Sequence, residues 1–238
     1  MYEQMLLKVI PYRIAGVIWY QGESDIDHAD IYADMMCGLI DEWRKNWGYD
    51  FPFIMTQLAP LGNTDNEMIL ESCNAFPVIR KKQEEVTRRL KDVYLASASD
   101  AGHAYDIHPK NKRPIGRRLA LLALDHVYGC PLVSAAPAPD RILKNENEIR
   151  IHFKNAEGGL VLNGEQIHDL ELIEKDGVPV PDKYWTAEVS GENVVIRLEH
   201  SGLQVAGISF ASTPYHEVNL YNMAGIPAMP FQEDITSH

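Results

Sequence analysis

Along the first 130 residues, short unbroken apolar runs alternate with longer stretches in which apolar residues recur every three or four positions. Ile14 to Tyr20 (IAGVIWY) is one such run, the pattern of a strand buried on both faces of a parallel sheet. From His28 to Trp47 the spacing predicts a helix, with Ile31, Met35, Leu39, Trp43 and Trp47 as its inward stripe and Gly48 as its C-terminal stop. FPFIMTQL (51–58) predicts a second strand, Val78 to Leu90 a charged helix, and VYLASA (93–98) a third strand. A last helix runs from about Arg113 to Tyr128, with Leu119, Leu122, Ala123 and Val127 inward and Gly129 closing it. Strand–helix repeats of this length define an α/β class with a parallel sheet and helices packed on it.

Beyond Cys130 the texture changes. SAAPAPD (134–140) reads as a linker. Short alternating segments follow: EIRIHF, GLVL, LELIE, VVIRL and VAGISFAS, separated by the turn signals EGG, NGE, KDG and SGEN. These predict an all-β module, a small sandwich or antiparallel sheet. The expected division is 1–130 for the α/β part and 131–238 for the β-rich part.

Composition refines this picture only slightly. Hydrophobic residues at 45% and charged residues at 24% are ordinary for a globular protein. With 22 Lys and Arg against 34 Asp and Glu the net charge is −12. That argues against a nucleic-acid or anionic-membrane partner, since phosphates call for a basic face; the acidity serves solubility. No run reaches the length of a membrane span. Cys37, Cys73 and Cys130 lie far apart without a C-x-x-C, so neither a zinc site nor a disulfide framework is expected, and Cys37 falls in a helical core pattern. The N-terminus lacks the basic region and cleavage site of a secretory leader, so the chain as written reads as cytoplasmic.

In an open α/β sheet, ligands bind beyond the carboxyl ends of the strands. Two polar loops fall there: QGESD (21–25) after the first strand and SDAGHAYDIHP (99–109) after the third. His108 is the best general base. Pro109 keeps it out of helical geometry, and Asp106, two residues earlier, can accept its Nδ1 proton and leave Nε2 free. Asp100 is a second candidate acid and His103 a weaker base. In the first loop Ser24 lies in G-E-S-D rather than a G-x-S-x-G elbow, which suits a turn better than a nucleophile. Gln21 and the Gly22 N–H are candidate oxyanion donors, and Glu23 is a carboxylate expected to hold the loop. Tyr184, Trp185 and Tyr215 could stack on a sugar, although single aromatics in β modules more often belong to the core.

GVIWYQGESD, DEWRKNWG, DFPFIMTQLAP, DIHPKNKRPIGRRLALLAL and EVNLYNMAGIPAMPF together resemble the sialate O-acetylesterase family, a branch of the SGNH (GDSL-like) hydrolases, in register from Met1 to Phe231. The resemblance implies a flavodoxin-like hydrolase sheet with associated β domains. It also implies removal of acetyl groups from O-acetylated sugars by metal-free, cofactor-free acyl transfer between a serine and a histidine. By that likeness His108 matches the catalytic histidine, Asp106 the acid beside it, and Gln21 and Gly22 the oxyanion block. Two departures stand out. The acid-to-base spacing is two residues where many relatives have three, with Tyr105 at the three-back position, so a Ser-His dyad is also open. And no Gly-Gln-Ser segment, the family's nucleophile signature, occurs in the 238 residues. The expectations are therefore a C-terminal fragment of a longer esterase, a split enzyme completed by a partner chain, or a pseudo-enzyme acting as a glycan- or protein-binding module. Ser24 is the substitute nucleophile to test. The family is usually secreted, periplasmic or lysosomal, so the fragment reading also implies a truncated start. Exposed sheet edges in such a chain predict a homo-oligomer or a partner that completes the sheet.

Overall fold

The computed structural model describes residues 2–62, 73–200 and 202–235. Its α/β part is a three-stranded parallel sheet in the order β1 (Val17–Trp19), β2 (Phe53–Thr56), β3 (Val93–Ala96). Helices α1 (Tyr32–Trp47), α2 (Phe76–Arg89) and α3 (Arg113–His126) follow the strands in turn. Because side chains alternate along a strand, the central strand serves two cores. Phe53 and Met55 join Val17 and Trp19 against Ile40 of α1 and Ile79 and Val86 of α2. Ile54 joins Ala96 against Ile115, Leu119 and Leu122 of α3 on the other face. All four residues of β2 are buried accordingly.

Two expectations for this α/β part need correction. The run Ile14 to Tyr20 yields only three strand residues, and they are not buried on both faces. Val17 and Trp19 pack toward α1, but Ile18, in register with Ile54, is 61% exposed. The strand lies at the sheet edge, and α3 packs chiefly on β2 and β3. The stripe expected on α1 is also displaced. Ile31 and Met35 are exposed, Leu39, Trp43 and Trp47 lie at the margin, and the buried face is Ala33, Met36, Cys37, Ile40 and Arg44. A row spaced strictly by four drifts about 40° per step on a helix of 3.6 residues per turn, so it spirals around the cylinder. Moreover, residues Glu23–Ile31 are a 3-10 helix with a kink at His28, and the α-helix begins only at Tyr32. Gly48 ends α1 in the left-handed region (φ 76°), its N–H reaching the Arg44 and Lys45 carbonyls. The helix over 113–126, with Leu119 and Leu122 buried, agrees with its pattern.

The remaining strands are antiparallel. β4 (Ala138–Lys144), β5 (Glu148–Lys154), β8 (Trp185–Ser190) and β9 (Asn193–Leu198) form a sheet in the order β4-β5-β9-β8. β7 (Leu170–Glu174), β10 (Val205–Phe210) and β12 (Phe231–Asp234) form a second, and β6 (Leu160–Leu162) pairs with β11 (Leu220–Asn222). Their inward residues, among them Ile149, Ile151, Ile196, Leu172, Ile208 and Leu220, share one core, which gives the sandwich-like module. The expected linker SAAPAPD is partly strand, since Ala138–Asp140 already belong to β4. Proline is tolerated there because β4 is an edge strand and the register shifts between Pro139 and Arg141.

Candidate functional site at the carboxyl edge of the parallel sheet

The three parallel strands deliver their following loops to one edge, and that edge is unusually polar for its burial. Thr56, Gln57, Ser97 and Ser99 are all buried there, with the Ser97 and Ser99 hydroxyls 3.0 Å apart. The loop after β1 is fixed from beneath by Gln83 of α2. Its Nε2 donates to the Gln21 carbonyl at 3.2 Å and the Thr56 carbonyl at 3.3 Å, while its Oε1 accepts the Leu58 N–H at 2.8 Å. One buried amide thus ties the ends of β1 and β2. The Tyr32 hydroxyl donates to the same Gln21 carbonyl at 3.2 Å.

Gly22 is buried at φ 155°, and a Cβ there would meet Gln83 Nε2 and Ile79 Cγ2 at 3.3 Å. Its carbonyl accepts the Asp25 N–H at 3.1 Å, and its own N–H has no partner among the described residues. The Gln21 side-chain amide donates to the Asp25 carboxylate. Glu23 is half-buried and opens the 3-10 helix, whereas Ser24 is exposed in its first turn. Burial, with the Glu23 charge second, pushes the Tyr20 phenol up to about 12. Lys112, just ahead of α3, reaches across to that phenol, its Nζ 3.3 Å from the hydroxyl and 4.6 Å from the ring centroid. This contact links the loop after β1 to the loop after β3.

In the latter loop His108 is exposed and held on an Asx turn, its backbone N–H donating to Asp106 Oδ1 at 2.8 Å. Among the described residues no hydrogen bond joins the His108 ring to Asp106, Gln21, Gly22, Glu23 or Ser24. His103 is exposed, and its Nδ1 accepts the Tyr105 N–H at 3.1 Å. Asp100 is engaged elsewhere: both its oxygens bind Arg118 at 2.7 Å, and Oδ2 also accepts from the Tyr221 hydroxyl at 3.3 Å. A cleft of about 490 Å³ opens between Asp100, His103, Asp106, Pro109 and Asn111. Gly102 lines it too, packed so closely on Pro60 that a Cβ would lie 2.0 Å from the Pro60 carbonyl oxygen. No group of three or more His, Cys, Asp or Glu among the described residues is arranged to hold a metal ion. No described helix is long and apolar enough to cross a membrane.

Gln83 and Lys112 have no place in the motif reading, nor has Arg80 of α2, which donates to the Leu58, Thr213 and Pro214 carbonyls at 2.8, 2.6 and 2.8 Å. A signal for the first two exists. Phe76, Ile79, Arg80, Gln83 and Val86 are the buried face of α2, so two polar residues occupy inward positions of an amphipathic helix.

The two loops meet at one edge of an α/β fold, and comparison with known proteins gives the family. A family model described as "Carbohydrate esterase, sialic acid-specific acetylesterase" matches residues 1–125. The chain belongs to this family. Mouse sialate O-acetylesterase is 31% identical over 149 residues, covering 54% of this chain and 26% of the mouse protein. The human protein of that name is 29% identical over 148 residues, covering 54% and 27%. A solved carbohydrate acetylesterase from Xanthomonas citri superposes with a TM-score of 0.81 at 28% identity, covering 98% of this chain and 53% of that one. The chain thus spans about a quarter of these curated relatives and about half of the structural neighbour.

Proposed function

We propose that this chain carries the oxyanion loop and the general base of a carbohydrate O-acetylesterase acting on O-acetylated sugars. The observation that carries the reading is the linked pair of loops at one sheet edge: a Gly22 N–H with no partner among the described residues on one, His108 on the other, joined through Lys112 and Tyr20. In this scheme a serine Oγ attacks the acetyl carbonyl carbon while His108 takes its proton. The Gly22 N–H and the Gln21 amide stabilise the tetrahedral oxyanion. Collapse releases the sugar oxygen, which takes the proton from His108. A water, deprotonated by His108, then releases acetate. Asp106 holds the His108 backbone in its Asx turn, and Glu23 helps to hold the oxyanion loop. The serine comes from a Gly-Gln-Ser segment outside these 238 residues, on the same chain or a partner.

A sheet-completing partner or second copy is supported by exposed Ile18 on the edge strand and by the apolar groove of Tyr2, Met5, Leu6, Val9 and Trp43. Size-exclusion chromatography is expected to show self-association of the isolated chain, and a clean monomer at all concentrations counts against it. The alternative, a non-catalytic glycan- or protein-binding module, draws support from Ser24, which is exposed and has no base hydrogen-bonded to it among the described residues.

Hydrolysis of p-nitrophenyl acetate by this chain and by His108→Ala and Ser24→Ala variants separates the readings. Activity lost in both variants assigns Ser24 as nucleophile. Activity appearing only when a Gly-Gln-Ser segment is supplied, and lost in His108→Ala, supports the proposed scheme. Equal activity of His108→Ala and the parent in that complemented form would overturn it.

A further inference from the structure

The loop that bears His108 is held from outside as well as by its own turns. Its outermost span, 105–108, lies between buried Pro109 and residues 102–104. Those residues are pinned by the segment after β2. The Pro60 carbonyl accepts the His103 N–H at 3.1 Å, and the Gly62 N–H donates to the Ala104 carbonyl at 3.2 Å. On its other side the same segment meets the β module, the Leu61 N–H donating to the Pro214 carbonyl at 3.1 Å. Residues 60–62 are thus a strap between the turn 213–214 and the His108 loop. The turn itself is anchored: Phe210 and Ala211 precede it, Val218 follows it, and all three lie in the core of the β module.

One side chain fastens this strap. Arg80, buried on α2, holds the strand end that leads into it, donating from Nε to the Leu58 carbonyl and from Nη2 to the Ala59 carbonyl at 3.3 Å. Nη1 and Nη2 reach across to the Thr213 and Pro214 carbonyls of the turn. The Pro214 oxygen therefore accepts both Arg80 and the Leu61 N–H, which its two lone pairs allow. Four carbonyls from two distant segments converge on one planar fork, a geometry that the point charge of a lysine does not match. For a position that only filled the core, this would be a costly choice. No carboxylate among the described residues pairs with Arg80, and burial pulls its guanidinium down to about 9. Ile79 and Val86 already bury the same face of α2 with apolar side chains, so what the arginine adds is directed hydrogen bonding.

A general base acts only when its imidazole is held within hydrogen-bond reach of the proton it takes, and small misplacements are expensive. His108 is exposed, and among the described residues its one hydrogen bond is that of its backbone to Asp106. Its placement therefore depends on the fixed points of the loop. Asp100, paired to Arg118, fixes where the loop begins; the strap at 103–104 is the nearer one to His108. We propose that Arg80 is a positioning residue for His108, through which the β module braces the general-base loop. The role given to His108 rests on the esterase reading; the brace itself does not.

Amide hydrogen exchange, read by NMR on the full chain, tests the brace without turnover. In Arg80→Met the Leu61, Gly62 and His103 amides are expected to exchange roughly tenfold faster than in the parent. Arg80→Lys keeps the charge and part of the donor set, so it is expected to fall between the two, and it carries the test if the Met variant does not fold. Val86→Ala, a buried truncation on the same helix that touches none of these hydrogen bonds, is the control for lost stability alone. In the form complemented with a Gly-Gln-Ser segment, Arg80→Met is expected to lower kcat on p-nitrophenyl acetate roughly tenfold with KM little changed, and Arg80→Lys to recover part of it. Val86→Ala is expected to leave kcat near the parent value. Exchange at the three amides no faster in the Arg80 variants than in Val86→Ala overturns the brace. Faster exchange with kcat unchanged overturns the positioning role. A complemented form inactive in every variant refutes the esterase reading, while the exchange result still decides whether the β module braces the loop.

Discussion

Single residues decide the shape of the oxyanion loop. Gly22 combines a φ of 155° with contacts at 3.3 Å to Gln83 and Ile79, so a methyl group there is strained both by backbone and by neighbours. Gly22→Ala is expected to lower stability by about 1–3 kcal/mol, read as a drop in Tm. His216 acts through its proton. Burial, with the Arg80 charge second, lowers its pKa to about 3 from an ordinary 6.5. Between those values the unfolded chain binds more protons than the folded one, so stability rises with pH across that window and is complete above about 6.5. The loss by pH 4 is about 3 kcal/mol. Denaturant titrations at pH 7 and pH 4 should show it, with a shallower pH dependence in His216→Gln. An equal slope in that variant would assign the acid sensitivity to other groups.

At the level of elements, the site depends on α2 as much as on the loops that bear its motifs. Gln83 satisfies two carbonyls and an N–H from the ends of β1 and β2. Gln83→Leu leaves the Leu58 N–H without its partner and takes a donor from the Thr56 and Gln21 carbonyls, the latter keeping Tyr32, at a cost of about 2–4 kcal/mol, with faster amide exchange expected at Gly22 to Asp25. An unchanged exchange rate there would show that Tyr32 alone holds the loop. Strand and helix positions were readable because each is set by a local period, 2 or 3.6 residues. The failures were local too. The four-residue row on α1 ignored helical drift, and the apolar run at Ile14–Tyr20 looked doubly buried because apolarity does not reveal whether a helix covers each face. β8 and β12 escaped notice because they are sparsely apolar, and β11 because it is only three residues long.

Across the whole molecule, the α/β part and the β module are joined by buried charge. Arg118 is 4% exposed and paired to Asp100, which also receives the Tyr221 hydroxyl from the β module. Asp100→Asn removes the anion from a buried guanidinium and is expected to cost about 3–5 kcal/mol. Tyr221→Phe removes one long neutral-donor bond and should cost about 1 kcal/mol or less. Thermal melts of both variants measure the difference; comparable losses would mean that the junction, and not the ion pair, dominates. A small apolar cluster of Ala136, Ile226 and Met229, with Leu95 and Leu121 packed against it, continues the same junction.

By itself the sequence determined the alternation of strand and helix, the change to a β module, and the two polar loops bearing Gln21, Gly22 and His108, because each is written in neighbouring residues. Tertiary structure decided what those loops face. It set β1 at an edge with Ile18 uncovered, committed Asp100 to Arg118, and turned the Asp106 carboxylate to a backbone N–H. It also brought Arg80 onto Thr213 and Pro214, more than 130 positions away. Such pairings follow from how whole faces pack, and no local pattern carries them.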